Sequence, residues 1–109
     1  MTKARTPLTE ANDGSSVTLH KGDILPIHLH ENASTGYRWS VDAFDRSVIS
    51  AKEDGYDGNA QSVGSGGTAK WIVEAIGPGT TQFKLTLSRP WEGDGSVLKR
   101  FAITLTIEH

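Results

Sequence analysis

Hydrophobic and polar side chains alternate with a period of two over most of this chain. Phe83, Leu85 and Leu87 alternate with Gln82, Lys84, Thr86 and Ser88, and Phe101, Ile103, Leu105 and Ile107 with Arg100, Ala102, Thr104, Thr106 and Glu108. Trp71, Val73 and Ala75 alternate with Lys70, Ile72 and Glu74, and Tyr37, Trp39 and Val41 with Arg38, Ser40 and Asp42. Successive side chains of an extended strand point to opposite faces, so each run predicts a strand with one buried and one wet face. Weaker patterns over residues 16–20, 24–30 and 47–53 predict three more strands. Pro26 has no backbone N–H to donate, so its strand belongs at a sheet edge or carries a bulge. No helical stripe and no internal repeat is present.

Strands separated by turn signals predict an all-β fold, an immunoglobulin-like β-sandwich of about seven antiparallel strands, with a six- or seven-stranded barrel as the alternative. Trp39 suits the core tryptophan of that sandwich, without the disulfide it usually packs against. The expected core is Val17, Leu19, Ile27, Leu29, Trp39, Val41, Trp71, Val73, Phe83, Leu85, Leu87, Phe101, Ile103 and Leu105. A chain of 109 residues fits a single domain over 1–109, with 1–14 expected to be a flexible N-terminal segment.

If successive strands run antiparallel, alternate connections emerge at the same end. One end then carries the plain links 21–23, 43–46 and 77–79. The other carries 31–35, the long stretch 54–68, and 89–96. Every unusual sequence falls in this second set, and binding residues concentrate on loops held by a rigid scaffold.

The first of these links reads Asn32, Ala33, Ser34, Thr35, Gly36, Tyr37: small, uncharged and short, with Gly36 available for a positive φ. It is either an ordinary tight connection or a segment thin enough to enter a narrow cleft. Asn32-Ala33-Ser34 also matches a glycosylation acceptor, a pattern common by chance. The second contains Gly64, Ser65, Gly66 and Gly67 after a polar, glycine-rich approach. Its glycines imitate a dinucleotide fingerprint, but that fingerprint needs a helix to follow, and residues 69–76 alternate as a strand. The third contains Arg89, Pro90 and Trp91 before a Glu-Gly-Asp-Gly turn. Trp91 either folds back to cap the sandwich or serves as a contact hot spot, a role in which Trp and Arg are enriched.

Charge and composition exclude several function classes. Net charge is −2 with the signs mixed, leaving no basic footprint for nucleic acid or an anionic membrane. The chain has no cysteine, hence no disulfide, thiol nucleophile or thiolate ligand. His28 and His30 sit at i, i+2 and such pairs can bind metal, but no carboxylate completes the set and they read as solvent-facing. No nucleophile-elbow motif accompanies the serines. No enzyme activity, metal or cofactor is expected. The first eleven residues are polar and lack the apolar stretch of a signal peptide, and no segment reaches transmembrane length. The chain reads as a soluble monomer whose compartment is open: cytoplasmic as given, or an exported domain whose leader has been removed.

Together the three links resemble the chagasin-type inhibitors of cysteine peptidases. That family carries an Asn-Pro-Thr-Thr-Gly-Tyr/Phe loop, a Gly-x-Gly-Gly loop and an Arg-Pro-Trp/Phe loop, in that order. Ala33 and Ser34 depart from the family's Pro and Thr, and loss of the proline frees a φ angle at a cost of roughly 0.4–1 kcal/mol. The resemblance implies a papain-family cysteine peptidase as partner. It implies that the first loop wedges at the catalytic centre with Thr35 nearest the enzyme's cysteine, while the other two grip the cleft and Trp91 packs on the enzyme surface. The alternative is a generic immunoglobulin-like adhesion module without inhibitory activity.

Overall fold

The computed structural model describes residues 7–31, 36–42, 44–58, 67–89, 91 and 97–108. Its strands are β1 (Ser16–His20), β2 (Ile24–Glu31), β3 (Arg38–Val41), β4 (Ile49–Gly58), β5 (Gly67–Ala75), β6 (Gly79–Ser88) and β7 (Lys99–Glu108). They form two sheets, ordered β1-β7-β6-β3 and β2-β5-β4, so the fold is a sandwich and not a closed barrel. All pairings are antiparallel except β1 with β7. That exception follows from the chain reversing at each link: the first and seventh strands run the same way and meet side by side.

The core lies between the sheets. Leu19, Ile27, Leu29, Trp39, Trp71, Val73, Phe83, Leu85, Leu87, Phe101, Ile103 and Leu105 are buried as the alternation predicts. Leu25, Val48, Ile49, Ala69, Ala75 and Ile107 complete the same cluster. Two expected members differ. Val17 is only partly buried at the margin, and Val41 is exposed. β3 and β4 are the edge strands on one side of the sandwich, and Val41 lines the open groove between them with Asp42, Phe44, Arg46 and Lys52.

Pro26 lies on an edge strand, as its missing donor requires. Its carbonyl points outward and accepts the Leu8 N–H at 3.0 Å. In an antiparallel strand the nitrogen of that residue faces the same way, so the ladder loses no bond to β5. The same outer edge is covered further along: Leu8 O accepts the His28 N–H at 2.8 Å, and Glu10 Oε1 accepts the His30 N–H at 2.9 Å.

From residue 7 on, the described part of the N-terminal segment is tied to both sheets. A 3-10 turn over Glu10–Asn12 follows Leu8, and Asp13 Oδ1 then accepts the Ala102 N–H of β7 at 2.8 Å. Residues 8–14 therefore run from the edge of one sheet to the other. They show no period in sequence because they are held by single hydrogen bonds and not by a repeating face.

The long link 54–68 is shorter than expected. Asp45 accepts the Ser47 hydroxyl at 2.6 Å and the Ser47 N–H at 2.9 Å, which holds its carboxyl below the usual range and forms a turn. β4 starts after that turn, at Ile49, and runs on to Gly58, paired with β5 to its end. The register slips between Glu53 and Tyr56, where Gly55 takes a φ of 104°. A bulge of this kind inserts an extra residue and breaks the period of two, which is why the second half of β4 reads as loop.

One continuous core and no cysteine predict cooperative unfolding without redox control. Thermal unfolding followed by circular dichroism should show one transition, with the same midpoint in the presence and absence of reductant.

Candidate functional site

Strand register brings the three unusual links to one end. At the end of the three-stranded sheet, Gly67 of β5 pairs with Glu31 of β2 on one side and Gly58 of β4 on the other. At the end of the four-stranded sheet, Arg38 of β3 pairs with Ser88 of β6, and Leu87 of β6 with Lys99 of β7. The links β2–β3, β4–β5 and β6–β7 therefore leave from the same end of the sandwich.

Of the residues singled out from sequence, Gly36, Tyr37, Gly67, Arg89 and Trp91 are described. Asn32, Ala33, Ser34, Thr35, Gly64, Ser65, Gly66 and Pro90 lie outside the described residues. The structure brings the first and third links together. Gly36 has a φ of 81°, and the six-membered ring of Trp91 lies against it. A Cβ built on Gly36 would collide with that ring, lying 2.9 Å from Cζ2 alone. Beside this contact the Arg89 guanidinium sits over the Tyr37 ring, 4.4 Å from its centroid. Gly67 is placed differently: it opens β5 and is held in the ladder by both neighbours.

Trp91 is 71% exposed, so it does not cap the sandwich core. Leu98, at the other root of the same link, is 56% exposed, and its N–H donates to Leu87 O at 2.8 Å. Val41, Trp91 and Leu98 are the exposed large apolar side chains among the described residues, and two of the three belong to this link.

The root of the first link is held by a residue that sequence reasoning passed over. Glu31 follows Leu25, Ile27 and Leu29 at the same alternating phase, and is buried like them. Its Oε1 accepts the backbone N–H of Trp39, in the opposite sheet, at 2.8 Å. The Trp39 indole Nε1 returns a bond to His30 O at 2.9 Å. A charged acceptor on a buried N–H makes a strong hydrogen bond, and both ends of residues 32–37 are thereby pinned. The signal was present in sequence: a carboxylate in the core phase of a strand must have a buried partner.

His28 is half-buried and His30 exposed, and no group of three metal-ligating side chains occurs among the described residues. What this end presents is shape: an exposed indole, a leucine, a guanidinium stacked on a phenol, and backbone fixed by two sheets.

Residues 18–105 match the family model described as Chagasin family peptidase inhibitor I42. The chain is 27% identical to chagasin of Trypanosoma cruzi over 103 residues, which covers 90% of this chain and 94% of chagasin. It is 30% identical to amoebiasin-2 of Entamoeba histolytica over 104 residues, covering 92% of this chain and 83% of that one. The crystal structure of EhICP2, a cysteine protease inhibitor from Entamoeba histolytica, matches with a TM-score of 0.85 at 28% identity and covers 96% of both chains. With the two-sheet fold and the three ordered links at one end, these matches place the chain in the chagasin family of peptidase inhibitors.

Proposed function

We propose that this protein is a reversible, non-covalent, tight-binding inhibitor of papain-family cysteine peptidases, which fills the active-site cleft with the three links at one end of the sandwich. The observation that carries this reading is Trp91: an indole 71% exposed, beside Gly36 and next to the Arg89–Tyr37 stack, where the first and third motifs meet. The binding residues are Asn32, Ala33, Ser34, Thr35, Gly36 and Tyr37 in the first link. Gly64, Ser65, Gly66 and Gly67 serve in the second, and Arg89, Pro90 and Trp91 in the third. The role of Thr35 as the group nearest the enzyme's cysteine comes from the family resemblance.

The physical case rests on preorganisation. Links anchored at both ends in strands lose little conformational entropy on docking, so more of the contact energy appears as affinity. Interfaces of protease–inhibitor size, about 1,600 Å², reach high affinity when an aromatic anchor sits at their centre. The first link offers a peptidase no electrophile and no thiol, only amides, hydroxyls and a phenol. An amide is cleaved only in a pose that aligns the attacking thiolate, the oxyanion donors and the leaving nitrogen. A segment held by Glu31 and Trp39 at its root resists that alignment.

Titration against papain-type enzymes should give reversible inhibition with a Kd in the nanomolar range or below, about −12 kcal/mol, and leave trypsin-type and metallopeptidases active. Absence of inhibition at micromolar concentration would refute the proposal. Trp91→Ala should weaken binding by about 2 kcal/mol or more, chiefly through faster dissociation, with the melting temperature unchanged. Glu31→Ala, which leaves the Trp39 N–H without its acceptor, should cost about 1–3 kcal/mol of stability in denaturant titration and weaken inhibition as well. Glu31→Gln, which keeps an acceptor oxygen, should restore most of both. After hours with excess active enzyme, the denatured inhibitor should keep its intact mass; a cut between Asn32 and Tyr37 would identify a slow substrate.

A further inference from the structure

We infer that Trp91 and Arg89 act inside the inhibitor before any enzyme is met: seated on Gly36 and Tyr37, they lock the third link to the first, so that the two form one preorganised unit. This rests on the reading that this end binds a peptidase, and it adds an intramolecular role to residues otherwise counted as contacts.

The coupling grows out of the ladder. β3 and β6 pair antiparallel with Arg38 opposite Ser88 and Trp39 opposite Leu87. Continued outward by one residue, that register sets Tyr37 opposite Arg89. The guanidinium 4.4 Å from the ring centroid is therefore a cross-strand pair in its natural place, just beyond the last ladder bond. One residue further along the first link stands Gly36, and the Trp91 ring lies on it. Tyr37 and Arg89, some fifty residues apart in sequence, thus meet one residue beyond the last pair of β3 and β6.

Gly36 is required twice over. Its φ of 81° already favours glycine. Independently, the space its side chain would occupy is filled by the indole. The contact covers only part of the ring, since Trp91 stays 71% exposed, and the remaining surface is open to a partner. Trp91 thus has two jobs, a support for the first link on one side and a contact surface on the rest.

Two measurements test this. In the free protein, nuclear magnetic resonance should find the Gly36 α-protons displaced from ordinary values by the indole ring current, and Trp91→Ala should return them to those values. Unshifted Gly36 protons in the wild-type protein would overturn the coupling, however well the protein inhibits. This arm needs no peptidase, so it stays decisive if inhibition itself fails. The second measurement is a double-mutant cycle of Gly36→Ala and Trp91→Ala, read as Kd for papain. Gly36→Ala should weaken binding about tenfold in the wild-type background and by a clearly smaller factor once Trp91 is gone, the remainder being the strain of an L residue at positive φ, because contacting residues are non-additive. Losses that simply multiply would overturn the inference. Melting curves check that each variant folds. If Gly36→Ala does not fold, the cycle of Tyr37→Leu and Arg89→Ala reads the same coupling, and the same two outcomes decide it.

Discussion

The hydrogen bond from the Trp39 N–H to the buried Glu31 carboxylate is the interaction on which the loop-bearing end of the sandwich depends. It joins the last residue of β2 to the middle of β3 at the point where the chain crosses from one sheet to the other. The indole of Trp39, bonded back to His30 O, closes the second half of the clamp. β3 is a short edge strand with a single buried residue, Trp39, so its place in the sandwich owes much to these two bonds. Everything that β3 carries outward, Tyr37 and Gly36 first, inherits its position from them.

From that root the order propagates along β3 and β6. Their ladder ends at Arg38 and Ser88, and the Arg89–Tyr37 stack lies one residue beyond it. The Trp91–Gly36 contact lies beyond. Each layer is more exposed than the one before, passing from a buried carboxylate through a half-buried stack to an indole mostly in water. The gradient puts the rigid part in the core and leaves the exposed apolar part outermost. The opposite end of the sandwich contains backbone turns, one built on the Asp45 carboxylate and another on Gly22 bonded to Ala75 O, and there Arg46 sits over the partly buried Phe44, 5.7 Å from its ring centroid.

The two-sheet fold was legible in sequence because β-sandwiches are written in a period of two, and here the period survives in β6, β7 and most of β5. It failed where a residue is held by something other than a repeating face. The bulge at Gly55 shifted the phase of β4 and made half a strand look like loop. Residues 8–14 dock through isolated bonds to Pro26, His28, His30 and Ala102, which no periodic pattern announces. Val41 has the alternating phase of a core residue, yet the open groove between two edge strands leaves it exposed.

At the end that carries the three links the division is sharper. The sequence by itself determined that three unusual links leave from one end, because strand alternation sets chain direction, and that a glycine and a tryptophan stand in two of them. It also contained Glu31 in the core phase of β2, although naming its partner requires knowing which strand lies across the sandwich. Only the tertiary structure decided that Glu31 meets Trp39, that Arg89 faces Tyr37, and that Trp91 rests on Gly36 and not on the core. The physical reason is that these contacts depend on the pairing of β3 with β6 and on the facing of two sheets. Both are long-range arrangements chosen by packing of the whole core, whereas local alternation specifies only which face of each strand is buried.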